Sequence, residues 1–91
     1  MTVQIKIPAL LRKETDAKAV VEVQGGTVRD CMESLLRRYP KLRGEILDRR
    51  GILLLKWMIY VNRQGSISAD DMSHPVKDGD TIELVPVVSG A

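Results

Sequence analysis

Few side chains in this 91-residue sequence could do chemistry, and their spacing restricts what that chemistry is. A metal or cluster site needs several ligands, and a single Cys31 and a single His74, about forty positions apart, do not supply one. Cys31 falls on an apolar stripe at helical spacing, the place of a small core residue rather than of a reactive thiol. His74, next to Pro75, reads as a loop residue rather than a general base. The paired carboxylates Asp70-Asp71 and Asp78 with Asp80 each lie in or beside a turn, where capping is their expected duty. Gly25-Gly26 lacks the further glycine and the Lys-Ser/Thr of a phosphate-cradling loop. No catalytic residue and no metal ligand is therefore assigned, and an enzyme with its own active site is not expected. The reactive group that remains is the carboxyl end of a small-residue tail, Val87-Val88-Ser89-Gly90-Ala91.

The elements that must position this tail fit one domain spanning residues 1–91, because a chain of this length supports a single modest core. Hydrophobic residues at 44% and charged residues at 29% describe an ordinary globular protein that folds alone. Fourteen basic and twelve acidic residues are interspersed and leave a net charge of +2, so no nucleic-acid partner is demanded. The densest basic cluster, Arg37, Arg38, Lys41, Arg43, Arg49 and Arg50, reads as the solvated side of a helix and its following loop, with an acidic protein partner as the alternative. One cysteine allows no internal disulfide, and no apolar run approaches the roughly 20 residues that cross a bilayer. With no signal-peptide pattern at the start, a cytoplasmic location without membrane attachment is expected.

Residues 2–8 alternate polar Thr2, Gln4 and Lys6 with apolar Val3, Ile5 and Ile7, which predicts a half-buried strand closed by Pro8. After the polar run 12–16, residues 18–24 alternate again, with Ala19, Val21 and Val23 on one side, and Gly25-Gly26 ends this second strand. Thr27 is placed to cap a helix in which Val28, Cys31, Met32, Leu35, Leu36 and Tyr39 form the apolar face, with Asp30 near its positive end and Pro40 as its stop. Residues 41–55 form a connection in which Leu42, Ile46 and Leu47 suggest a short helical turn before a turn at 48–51. Residues 56–62 predict a strand with Trp57, Ile59 and Val61 on one face and Met58 and Tyr60 on the other. Residues 64–66 read as a turn, and 68–75 as a loop with at most one helical turn. Lys77-Asp78-Gly79-Asp80 is a tight turn on a glycine able to take positive φ, and 81–87 form the last strand with Ile82 and Leu84 inward. The order β-β-α-β-β with one helix across one face of a mixed sheet of four to five strands predicts a ubiquitin-like β-grasp of the α+β class.

The segment from Asp78 to Ala91 resembles the end of the MoaD/ThiS family of sulfur carriers, in which an Asp-Gly-Asp turn, an alternating strand and a proline lead to a small-residue tail ending in two glycines. Ile5-Lys6-Ile7-Pro8-Ala9-Leu10-Leu11-Arg12 is similar to the family's first strand and following turn, and Ile59-Tyr60-Val61-Asn62 to its central strand. The likeness covers essentially the whole chain, and the long 41–55 connection is similar to that of the CysO-like branch.

This resemblance implies that an E1-like enzyme uses ATP to adenylate the C-terminus, that sulfur replaces the AMP, and that a sulfur-accepting synthase receives it. The implied acceptors are the molybdopterin synthase large subunit, thiazole synthase or cysteine synthase. ATP is then used by the activating partner, and no cofactor is expected to be bound by this chain. Gly90 and Ala91 would carry the sulfur, and Val87, Val88 and Ser89 would thread the partner's channel as a flexible tail over 87–91. Where the family has its second glycine this sequence has Ala91. Three readings stay open at that position: alanine is accepted as the terminus, it is removed to expose Gly90, or it blocks transfer.

Alternation also turns Val85 outward, onto the open sheet face with Met58 and Tyr60, as a patch suited to transient protein binding. Two other functions compete with the carrier. One is a non-covalent ubiquitin-like binding module that uses the same patch with an inactive tail. The other is an RNA-binding module that uses the basic cluster, disfavoured by the modest charge and the lack of exposed aromatic residues for base stacking.

Overall fold

The computed structural model describes residues 2–63, 66–67 and 72–87. Two strands open the chain, β1 (Thr2–Lys6) and β2 (Val20–Gln24), paired antiparallel with Thr2 opposite Gln24 and Lys6 opposite Val20. Their alternation does what the sequence predicts, since Val3, Ile5, Val21 and Val23 are buried on a common face. Both strands are shorter than the 2–8 and 18–24 expected, although Ile7 N still donates to Ala19 O at 2.8 Å and carries the ladder past the strand ends.

The link between them is more ordered than a polar run suggests. Ala9–Glu14 is a 3-10 helix begun after Pro8 and pinned by buried Leu11. Thr15, fully buried, donates its hydroxyl to Lys18 O at 3.0 Å and fixes the reversal in which Asp16 and Ala17 take φ of 55° and 65°.

Helix α1 (Val28–Arg38) starts as expected, with Thr27 extended and its Oγ1 accepting from Asp30 N at 3.1 Å. Val28, Cys31, Met32, Leu35 and Leu36 form its buried face, and Tyr39 is half-buried at its end. Gly25 is required where β2 hands over to α1: a Cβ there would stand 2.8 Å from both Cys31 N and Cys31 Sγ. The helix also covers the outer edge of β2, because Ser34 Oγ donates to Gln24 O and Arg38 Nη1 to Glu22 O, each at 2.8 Å. Pro40 ends α1, and a 3-10 turn at Pro40–Leu42 runs into a single α-turn, α2 (Arg43–Ile46), which seats Leu42 and Ile46 in the core.

Three further strands complete the sheet: β3 (Trp57–Val61), β4 (Ser66–Ile67) and β5 (Thr81–Pro86). The strand order is β2-β1-β5-β3-β4, with β1 and β5 parallel and the other neighbours antiparallel. Trp57, Ile59, Val61, Ile82 and Leu84 join the buried face that packs on α1, and Trp57 Nε1 is satisfied by Glu45 O at 2.7 Å. This mixed sheet with one principal helix on one face is the ubiquitin-like β-grasp. No helix among the described residues is long and apolar enough to cross a membrane.

Candidate functional site

The site is organised around β5, the strand that delivers the tail. Its start is fixed by the turn 77–80, in which Gly79 takes φ of 88°. Gly79 N donates to Thr2 O at 2.9 Å, and Thr2 N donates to Asp78 Oδ1 at 2.8 Å, so the turn is stapled to the beginning of β1. Asp80 accepts from Asn62 Nδ2 on one carboxylate oxygen (3.0 Å) and from Lys77 N on the other (2.7 Å). Those two bonds, the Asn62 amide first, hold its carboxyl below the usual carboxylate range. Asn62 Oδ1 in turn accepts from Thr81 N at 2.9 Å. Asp78 and Asp80 thus do the structural work that the sequence assigns to them.

At the other end β5 emerges as the tail. Beside β1 its pairing stops at Lys6 opposite Glu83, whereas beside β3 it continues through Met58 opposite Val85 and Trp57 opposite Pro86. Val87 N then donates to Lys56 O at 2.8 Å. That bond places Pro86 in a non-hydrogen-bonded pair with Trp57, so the missing N–H of Pro86 points to the side where β1 has already turned away. The root of the tail is therefore held from one side only. Val87 is 46% exposed there.

On the open face of the sheet, Met58, Tyr60 and Val85 are brought together, half-exposed, with Val85 directly across from Met58 and diagonal to Tyr60. Tyr60 faces Glu83, whose carboxylate pairs with Arg63 at 3.5 Å on the exposed surface. The same row continues through Lys6 to Val20, which is 43% exposed. A shallow groove of about 400 Å³ runs beside the tail root, with Lys6, Pro8, Arg12, Val20, Val85 and Pro86 among its walls. Val20, Lys6 and Arg12 are additions to the sequence reading. The signal for Val20 was present, since a strand that buries Val21 and Val23 must turn Val20 out, but its place in one groove with Val85 depends on strand order.

The remaining candidates separate cleanly. Cys31 is fully buried, and burial, with Asp30 nearby, pushes its thiol up, away from the reactive range. In the basic cluster, Arg38 caps β2, Arg43 pairs with Glu33 at 3.2 Å, and Arg50 stands 3.9 Å from Asp48. Among the described residues no three His, Cys, Asp or Glu side chains converge as metal ligands would. Asp70, Asp71, Val88, Ser89, Gly90 and Ala91 lie outside the described residues.

Comparison with known proteins bears directly on this arrangement. The model of the ThiS family matches residues 5–90. The sulfur carrier protein CysO of Mycobacterium tuberculosis is 27% identical over 92 residues, covering 99% of each chain. A chain in the crystal structure of the Amycolatopsis orientalis BexX/CysO complex superposes with a TM-score of 0.82 at 27% identity, covering 98% of this chain and 99% of that one. The solution structure of small archaeal modifier protein 1 from Methanosarcina acetivorans gives 0.83 at 28% identity, covering 99% and 96%.

Proposed function

The chain belongs to the ThiS family and is a sulfur carrier rather than an enzyme, and we propose that the carboxylate of its Ser89-Gly90-Ala91 tail is the group that carries the sulfur. The single observation that supports this most is the construction of the tail root. A strand clamped at its start by Asp78, Asp80 and Asn62 runs through the centre of the sheet and leaves it at Val87, beside a half-exposed Met58-Tyr60-Val85 surface.

The chemistry follows from what a carboxylate lacks. It is a poor acyl donor until an E1-like partner lets one of its oxygens attack the α-phosphorus of ATP, with pyrophosphate leaving. Hydrosulfide or its equivalent then attacks the acyl carbon, a C–S bond forms, the C–O bond to phosphate breaks, and AMP leaves with the former carboxylate oxygen. The resulting thiocarboxylate is a strong sulfur nucleophile at the end of a thin peptide. Small residues at 88–91 suit a narrow channel, and Gly90 lets backbone approach backbone. The Met58, Tyr60 and Val85 surface docks the partner, and the sulfur passes to a synthase making a pterin or thiamine cofactor or cysteine.

ATP–pyrophosphate exchange by the E1-like enzyme tests this. Exchange depends on the chain, as written or with Ala91 removed, and disappears when both Gly90 and Ala91 are deleted, although the folded domain still binds the enzyme through its sheet. Undiminished exchange with the shortened chain would refute the assignment. A pure docking module would bind in both forms and support exchange in neither.

A further inference from the structure

Residues 52–55 are a run of four apolar side chains, Ile-Leu-Leu-Leu, within a connection, where polar residues are the rule. Only part of the run serves the core: Leu53 is buried and Leu54 half-buried, whereas Ile52 is 44% and Leu55 93% exposed. The segment is not a loose loop. Asp48 Oδ1 accepts from Arg50 N at 2.8 Å and from Ile52 N at 3.0 Å, Leu47 bridges Leu53, and Leu54 N donates to Ile46 O at 2.8 Å. Trp57 N closes the other end on Leu54 O at 3.1 Å. Leu55 is thus held out into solvent by a tied backbone, at the border of an open hollow of about 680 Å³ walled by Asp48, Arg50, Ile52, Leu55 and Lys56.

Two observations say what would cover it. The first is position: Lys56, the next residue, accepts the Val87 N–H at 2.8 Å, so this apolar lip adjoins the point where the tail leaves the sheet. Gly90 lies three residues beyond Val87, a reach of about 10 Å when extended. An enzyme that works on the end of the tail at that distance must bring its surface against the root. The second is charge: Arg50 and Lys56 are exposed at the hollow and Arg49 beside it, while Asp48 spends Oδ1 on the N–H groups of Arg50 and Ile52 and stands with Oδ2 3.9 Å from the Arg50 guanidinium, which leaves the lip net basic.

We propose that the 52–55 lip is a second contact with the enzyme that adenylates the tail, received by an apolar pocket of that enzyme with carboxylates at its rim. This rests on the carrier function proposed above. The lip adds affinity and selects the correct enzyme, while the chemistry stays with the tail.

The test is ATP–pyrophosphate exchange by the E1-like enzyme, with the full chain as varied substrate, for wild type, Leu55→Ser, Ile52→Ser and Lys56→Glu. Leu55 is so exposed that its replacement leaves the melting temperature in place. We expect the half-saturating concentration to rise about tenfold for Leu55→Ser with turnover within twofold, less for Ile52→Ser, and about tenfold for Lys56→Glu with a weaker dependence on salt. Half-saturation unchanged by Leu55→Ser overturns the proposal. So does a defect confined to sulfur delivery, which would assign the lip to the acceptor, or a wild-type dimer in sedimentation that Leu55→Ser dissolves. Absence of exchange both with the wild-type chain and with its form lacking Ala91 overturns the carrier function and the lip together, and is distinguished from the other outcomes by those two controls.

Discussion

Asn62 is the residue whose replacement best separates the scaffold from the tail it serves. It follows β3 with φ of 52°, a conformation that asparagine tolerates and alanine resists by about 1 kcal/mol. Its side chain donates to Asp80 Oδ1 at 3.0 Å and accepts from Thr81 N at 2.9 Å. Both bonds are exposed, so each contributes about 0.5 kcal/mol. Asn62→Ala should therefore destabilise the fold by about 2 kcal/mol. Asn62→Gly, which restores the backbone freedom but not the bonds, should cost about 1 kcal/mol. Urea denaturation with an unchanged slope measures both, and for a domain of this size the alanine variant should melt roughly 10 °C lower.

The pH dependence of the same clamp has a definite sign. The Asp80 carboxyl is held low in the folded protein by Asn62 and by Lys77 N, so its contribution is complete above the ordinary carboxylate range near 3.9 and disappears as pH falls through the lower folded value. Asn62→Ala should consequently lose less of its stability on acidification than wild type does. The clamp lies at the far end of β5 from Val87, so adenylation of the folded variant should proceed at the wild-type rate. An alanine variant within about 0.5 kcal/mol of wild type, or one no worse than glycine, would refute this reasoning.

Gly25→Ala places a methyl group 2.8 Å from the backbone and sulfur of Cys31 and should cost about 1–3 kcal/mol, whereas Gly26→Ala, with nothing within 4 Å, should cost far less; paired urea titrations check the contrast. Cys31 should resist a disulfide reagent in the native state and react at once in denaturant, a difference read by absorbance of the released thiolate. Met58→Asp or Val85→Asp, on the half-exposed face, should shift stability by about 1 kcal/mol or less yet weaken binding to the activating enzyme by at least tenfold, measurable by titration calorimetry.

The strands and α1 were legible because each carries a period: two for Val3, Ile5, Val21 and Val23, and three-and-four for Val28, Cys31, Met32, Leu35 and Leu36. The Thr27 cap, the Gly79 turn and the outward placement of Met58, Tyr60 and Val85 followed from the same local rules. The helix Ala9–Glu14 was not legible, because one buried residue, Leu11, makes no period, and neither was Ser66–Ile67, at two residues too short for alternation. Strand order was implied only through the fold. That β5 lies between β1 and β3 depends on tertiary packing, and this alone makes Val20 and Lys6 neighbours of the tail root. In the 52–55 run nothing in the sequence distinguishes the leucine that is buried from the one that is 93% exposed; the Asp48 turn decides it.

Sulfur carried on the tail would be read from the intact mass of the chain after incubation with its E1-like enzyme, ATP and a sulfur source. The chain as written and a form lacking Ala91 are measured side by side, which also separates an accepted terminal alanine from one that must be absent for transfer. Exchange of one oxygen for one sulfur, localised by fragmentation to the C-terminal residue, is expected in at least one of the two forms. An unchanged mass in both would contradict it.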